Sequence, residues 1–479
     1  MELSNLGDDE LLLILGYLSA RELLKCRVVC RRWRDAALHP HLWRMKSVDS
    51  YNTLLASAVL RLAPCLDSLT AGSLWNFIFD KSGLLLASTK CAISKLHMTF
   101  SMSDACYMAL VITRQASLGR LKEVSLELFK GKADLPLYRL RAFLQQLLHT
   151  PGLEVLKLHT VEVEYIGDMS GVLLPVLAGA AQFEDPVPAS LRQLWITVPF
   201  PDPYAHLRLK WHATTLEVLK LARALPPAAS LPSTMPRLRE LDCPLLGGMA
   251  VMAQYEALRS LSLEVKLDES TVPYLLGVES FLRAAATRLE FVQLSYEAHE
   301  ERAAAVDLVL SLGGTGKATA ALETLLFSFD ADIPTPPLQL RPLTAILHRL
   351  SLLRTLNIGG VPSNAFLTAL DGEVLPHLRK LSMKTPEDSC PHVVAHSEPI
   401  KKLLQSYPLL HIRISDEGDY FDCEDFCDFC AGNKCHRIPD YSASVVFSHP
   451  LEDSCEVIHD LNSCYEIHLS LSEVEVDAL

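Results

Sequence analysis

One six-residue pattern of apolar and polar positions recurs along the chain: leucine, a charged residue, any residue, an apolar residue, any residue, an apolar residue. It runs as Leu121-Lys-Glu-Val-Ser-Leu126, Leu153-Glu-Val-Leu-Lys-Leu158, Leu191-Arg-Gln-Leu-Trp-Ile196, Leu216-Glu-Val-Leu-Lys-Leu221 and Leu238-Arg-Glu-Leu-Asp-Cys243. It continues as Leu258-Arg-Ser-Leu-Ser-Leu263, Leu289-Glu-Phe-Val-Gln-Leu294, Leu322-Glu-Thr-Leu-Leu-Phe327, Leu353-Arg-Thr-Leu-Asn-Ile358 and Leu378-Arg-Lys-Leu-Ser-Met383. All ten second positions are charged in a chain that is 21% charged, a bias that calls for a structural cause. The alternation that ends each unit puts two apolar side chains on one face of a short strand and turns the intervening ones the other way. Helix-like stretches precede several units, at 140–148, 280–287, 343–350 and 364–370, and Pro151, Pro236 and Pro376 stand two residues before the leucine. Weaker copies extend the series to 93–98 and 409–414.

Helix, turn, strand is therefore the predicted unit. No single unit can bury its apolar side alone, so neighbours must stack into a curved solenoid whose strands line the concave face. The pattern resembles leucine-rich repeats, and the uneven spacing resembles the irregular repeats found in F-box proteins. The expected fold class is α/β, a leucine-rich-repeat horseshoe over residues 91–415. Strand positions turned from the core are expected to line the concave face, with Lys157, Trp195, Lys220, Phe291, Gln293 and Asn357 as candidates for contact with a protein substrate. Trp195 and Phe291 stand out because aromatics are favoured binding anchors; packing against a neighbouring loop is the alternative for each.

The first 48 residues follow a different pattern. A short apolar helix over 6–18 gives way to a second opened by Ser19, with Glu22 three residues later at capping-box spacing. Leu23, Leu24, Val28, Val29 and Trp33 then recur among Lys25, Arg27, Arg31, Arg32 and Arg34, predicting two or three amphipathic helices. A segment this short is near the lower limit of independent stability, so part of its apolar surface should be covered by another domain or a partner. The order Leu6, Asp8-Asp9, Ile14, Tyr17-Leu18, Glu22-Leu23-Leu24, Val28-Val29-Cys30-Arg31-Arg32-Trp33-Arg34 and Leu42-Trp43-Arg44 resembles the F-box. That resemblance implies a small three-helix domain that binds a Skp-family adaptor and, through it, a cullin-RING ligase. The implied contacts are Leu6, Leu11, Ile14, Leu15, Leu18, Leu24, Val28, Val29, Trp33, Leu42 and Trp43. Gly7 stands where the family usually has proline, and Ser19-Ala20 replaces a proline-containing turn. Between the F-box and the solenoid, residues 49–90 are expected to form a helical linker or N-terminal cap.

Composition narrows the function classes. The net charge of −13 is concentrated in residues 416–479, where sixteen Asp and Glu face only Lys434 and Arg437, so the remainder is near neutral. A nucleic-acid binder would show a basic excess on its working domain, and none is expected here. The opening lacks the basic start and apolar run of a signal peptide, and the stretch 171–183 is too short for the ~20 residues of a membrane helix. Thirteen cysteines without a secretory signal are expected to be reduced, in the cytoplasm or nucleus.

Within the acidic C-terminal segment, Cys423, Cys427, Cys430, Cys435 and His436 gather in fourteen residues, a donor set suited to one zinc or to an iron–sulfur centre. The spacing matches no known module residue by residue. Free thiols packed with Phe426 and Phe429 are the favoured alternative, and no cofactor is expected. The glycines at 313–316 lack the spacing of a phosphate loop, and no catalytic constellation is found. The combined expectation is a non-enzymatic substrate receptor of an SCF-type ubiquitin ligase. The alternatives are a repeat scaffold without ligase assembly, or a receptor gated by metal or redox state.

Overall fold

The computed structural model describes residues 6–49, 52–72, 82–101, 104–129, 143, 146–161, 188–197, 205–221, 231, 234–266, 272–296, 306–315, 319–329, 339–385, 391–415, 443–449 and 466–470. The chain divides into two compact units, Met1–Leu225 and Pro226–Leu479.

The first unit opens with four short helices, α1 (Asp8–Gly16), α2 (Ala20–Cys26), α3 (Arg31–Ala37) and α4 (Pro40–Trp43), one more than the sequence pattern suggests. Each starts where local chemistry favours it. Asp8, Asp9 and Glu10 place negative charge in the first turn of α1, opposite the helix dipole. The capping box of α2 is formed, with the Ser19 N–H donating to Glu22 Oε2 at 2.8 Å and the Glu22 N–H to Ser19 Oγ at 3.4 Å. Pro40 occupies the first turn of α4, where its missing N–H costs nothing. Leu11, Leu15, Leu23, Ala37, Leu42 and Trp43 are buried beneath these helices, and the Trp43 indole N–H donates to the Ala37 carbonyl at 2.8 Å.

Strands follow at once. β1 (Ser47–Asp49), β2 (Cys65–Ala71), β3 (Ala92–Ser101), β4 (Glu123–Phe129), β5 (Val155–Val161), β6 (Gln193–Ile196) and β7 (Val218–Lys220) pair in chain order, every pair parallel. The region expected to be a helical linker or cap therefore contains helix α5 (Thr53–Leu62) and strand β2, which adds to the sheet beside β3. Its strand was hidden because Asp67 and Ser68 separate Leu66 from Leu69, which breaks the two-residue alternation while both leucines are fully buried.

In the second unit, β8 (Glu240–Pro244), β9 (Ser260–Val265), β10 (Phe291–Tyr296), β11 (Thr324–Phe329), β12 (Thr355–Asn357), β13 (Lys380–Lys384) and β14 (His411–Ser415) again pair in parallel in chain order. The acidic C-terminal segment adds two strands: β15 (Ala443–Phe447), antiparallel to β14, and β16 (Glu466–Ser470), parallel to β15. Helices such as Leu275–Ala285, Leu340–Ile346 and Asn364–Ala369 lie between successive strands, close to the stretches where the sequence places them.

The repeated pattern has a direct structural meaning. Its three apolar positions are buried in every unit apart from Ile196, which is half-buried. The charged second positions sit just ahead of each strand, where the backbone passes from repeat to repeat. Glu154 N–H donates to Lys122 O, Arg192 to Glu154 and Glu217 to Arg192, at 2.7–2.8 Å. In the second unit the same run goes from Arg239 through Arg259, Glu290, Glu323 and Arg354 to Arg379. Their side chains pair across repeats: Lys122 with Glu154 at 2.8 Å, Arg259 with Glu290 at 3.5 Å, and Arg192 with Glu217 and Arg354 with Glu323 at 3.9 Å. Each such exposed pair contributes about 0–1 kcal/mol. A charged residue belongs there because that position is solvated and has a neighbour of its own kind about one strand spacing away.

Glycine is required at one bend. Gly359, just after β12, has φ +65°, and a Cβ there would lie 2.3 Å from the Phe327 carbonyl oxygen of the neighbouring repeat. No helix among the described residues is long and apolar enough to cross a membrane.

Candidate functional site

Two surfaces carry the candidate residues. The first is on α1 to α3. Helical spacing sets Leu11 and Leu15 on one side of α1, where they are 1% and 0% exposed, and turns Leu13, Ile14 and Tyr17 to the other. Leu13 is 69% exposed, Ile14 45% and Tyr17, just after the helix, 92%. Val28 and Val29, in the turn between α2 and α3, are 77% and 64% exposed. Large exposed apolar side chains gathered on a domain this small are the kind of patch that marks an interaction surface.

This arrangement corrects part of the expected adaptor-binding set. Leu11, Leu15, Leu42 and Trp43 lie in the domain's own core and have no surface left to offer a partner. Ile14, Val28 and Val29 are exposed as expected, while Leu6, Leu18, Leu24 and Trp33 are half-buried. Leu13, Tyr17 and Met45, the last 81% exposed, are exposed apolar residues that the expectation did not name. The helical phase of α1 held the signal for the first two, since residues 11 and 15 cannot share a face with 13 and 17.

The second surface is the outward side of the strands. In the first unit, register places Lys157, Trp195 and Lys220 side by side on β5, β6 and β7. The Lys157 ammonium lies 4.8 Å and the Lys220 ammonium 4.5 Å from the centre of the Trp195 ring, a cation–π contact on each side. His159 meets the ring edge-on at 6.0 Å, and burial lowers its pKa. Lys157 also pairs with Glu123 at 3.2 Å, so its charge is balanced within the face. Trp195 is thus half-buried among neighbours of its own sheet, and its buried ring nitrogen meets no hydrogen-bond acceptor among the described residues.

In the second unit, Phe291 stands between Ser260 and Thr324, and Gln293 and Asn357 lie in one row separated by Leu326. Gln293 donates to Ser295 Oγ at 3.2 Å, and Asn357 Oδ1 accepts from the Gly359 N–H at 2.9 Å, shaping the bend after β12. All three are half-buried.

Cys423, Cys427, Cys430, Cys435 and His436 lie outside the described residues, and among the described residues no three potential metal ligands gather. Cys91 is pushed up to about 12 by burial, as a thiol held in apolar surroundings should be.

Comparison with curated proteins finds no match to the chain. The comparison with protein families agrees with the exposed apolar helices: residues 3–48 match the F-box-like family, so the chain carries an F-box-like domain.

Proposed function

We propose that the chain is the substrate-recognition subunit of an SCF-type ubiquitin ligase. In this reading the F-box-like domain docks on a Skp-family adaptor of a cullin-RING complex. The strand-bearing region is a leucine-rich-repeat solenoid that holds a protein substrate. The observation that supports docking is the exposed set Leu13, Ile14, Tyr17, Val28 and Val29 on the domain that matches the F-box-like family. Apolar anchors of this kind supply most of the binding energy when a partner desolvates them.

The receptor needs no nucleophile of its own. Holding a substrate lysine near a charged conjugating enzyme raises its effective concentration, so orientation is the whole contribution. Substrate contact is assigned to the outward strand face, with Trp195 flanked by Lys157 and Lys220 as its best-defined feature and Phe291, Gln293 and Asn357 as a second patch. The reading places the protein in the cytoplasm or nucleus, where the ligase machinery acts.

The test is co-purification of a Skp-family adaptor with the full chain, and with Tyr17→Ala/Val28→Ala. Retention by the first and loss from the second supports ligase membership. If a folded wild-type chain holds no adaptor, the repeat region is a binding scaffold outside a ligase.

A further inference from the structure

The F-box-like domain lacks proline at two positions where the resemblance expects it, and the structure fills both gaps with hydrogen bonds. Gly7 has φ −65° and ψ 166°, the φ at which a proline ring would lock the chain. Glycine has no such preference and must be held there. The Arg32 guanidinium, reaching over from α3, does so from both sides: its Nη2 donates to the Leu6 carbonyl, and its Nε and Nη2 lie 2.9 and 2.8 Å from Asp8 Oδ1. The Gly7 carbonyl then accepts from the Leu11 N–H at 3.1 Å, starting the first turn of α1.

The other end of the helix is treated in the same way. The Lys46 ammonium donates to the Gly16 carbonyl at 2.9 Å, satisfying an acceptor that the last turn leaves open. Beyond it, the Ser19–Glu22 capping box occupies the turn where a proline is expected, and its hydrogen bonds hold the Glu22 pKa low.

We propose that Arg32 and Lys46 are positioning residues for the docking surface. They clamp α1 at both ends and so fix where Leu13, Ile14 and Tyr17 are presented. The proposal rests on the adaptor-docking reading above. It specifies which chemistry is interchangeable. Arg32→Lys weakens the grip, because an ammonium has no counterpart of the Nε–H that makes the second contact with Asp8 in the planar fork. Gly7→Pro restores the restraint by other means. An added Cβ at residue 7 meets only the carboxylate of Glu10, a flexible side chain that can swing away, and the Gly7 N–H donates to nothing among the described residues.

The experiment measures affinity of the full chain for a recombinant Skp-family adaptor by calorimetry. The variants are Arg32→Ala, Arg32→Lys, Lys46→Met, Gly7→Pro and Arg32→Ala with Gly7→Pro. Arg32→Ala is expected to weaken binding about three- to tenfold, the scale of one charge-assisted contact. Gly7→Pro alone should stay within about twofold of wild type, and the double variant should recover to that level. An Arg32→Ala chain that binds like wild type, or that loses the same factor with and without Gly7→Pro, overturns the proposal; the second result would mean that Arg32 touches the adaptor itself. Hydrogen exchange of the α1 amides in the chain alone gives an independent reading. It should quicken from Leu11 onward in Arg32→Ala and slow again in the double variant, and unchanged exchange would sink the clamp. A chain that binds no adaptor removes the docking reading and leaves exchange to decide the clamp.

Discussion

The helical domain and the strand-bearing region use apolar residues in opposite ways. In the repeats, the three apolar positions that define the pattern are buried apart from Ile196, and the outward strand positions are mostly polar, with Val155, Trp195, Val218, Phe291 and Leu326 as half-buried exceptions. In the helices, apolar residues fall on both sides: Leu11, Leu15, Leu23 and Trp43 make a core while Leu13, Tyr17, Val28 and Val29 face outward. The repeats solve their burial problem internally, because within each of the two units successive strands pack side by side. The F-box-like domain does not, which is what a docking module should look like.

Substitutions can break or sharpen that contrast. The largest effect is expected at Trp43, fully buried and hydrogen-bonded to Ala37. Trp43→Ala should destabilise the helical domain by about 3–5 kcal/mol, measured by denaturant unfolding with exchange at α1 to α4 as the local readout. A loss under about 1 kcal/mol would mean that the core described for these helices is wrong. Next comes Tyr17→Ala with Val28→Ala, expected to weaken adaptor binding at least tenfold while stability changes by less than about 0.5 kcal/mol. Equal losses in binding and stability would erase the distinction between the two faces of α1.

Smaller effects probe the repeats. His212 is buried, its Nε2 is 3.4 Å from the Leu148 carbonyl, and burial lowers its pKa below the ordinary 6.5, with His149 adding to the effect. The unfolded chain therefore binds the proton first. Stability is complete above about pH 6.5 and falls as the pH drops from there towards the folded value. Replacing His212 with glutamine should flatten that part of a stability–pH curve, and an unchanged slope would assign it elsewhere. The smallest effect belongs to Glu154→Arg, which sets a third positive charge between Lys122 and Arg192 and should cost about 0.5 kcal/mol, more at low salt than at high. No salt dependence in the difference would remove the side-chain part of the ladder.

Much of this architecture was legible in the residues. The strands from β3 to β14 follow the leucine pattern because alternation and burial coincide there. β2 did not show itself because Leu66 and Leu69 are buried out of phase, and β15 and β16 lie in a segment whose acidic composition masks two short alternating runs. For the helices the sequence named the apolar set but not which members face inward. Leu11 and Leu13 differ only in angle around α1, and that angle becomes meaningful once α3 and α4 are packed beneath it. The cation–π sandwich at Trp195 depends on register between β5, β6 and β7, which follows from pairing three units separated by long connections.

The charged positions ahead of the strands also constrain how such a chain can change its length. Where neighbours are opposite in sign, as at Lys122 and Glu154 or Arg259 and Glu290, each unit is matched to its own predecessor. Duplicating one such unit would keep the leucine core continuous yet bring two like charges together at the seam. The repeats are interchangeable in their interiors and individually addressed along one margin, so growth by copying a single unit carries a small electrostatic penalty that copying a pair avoids.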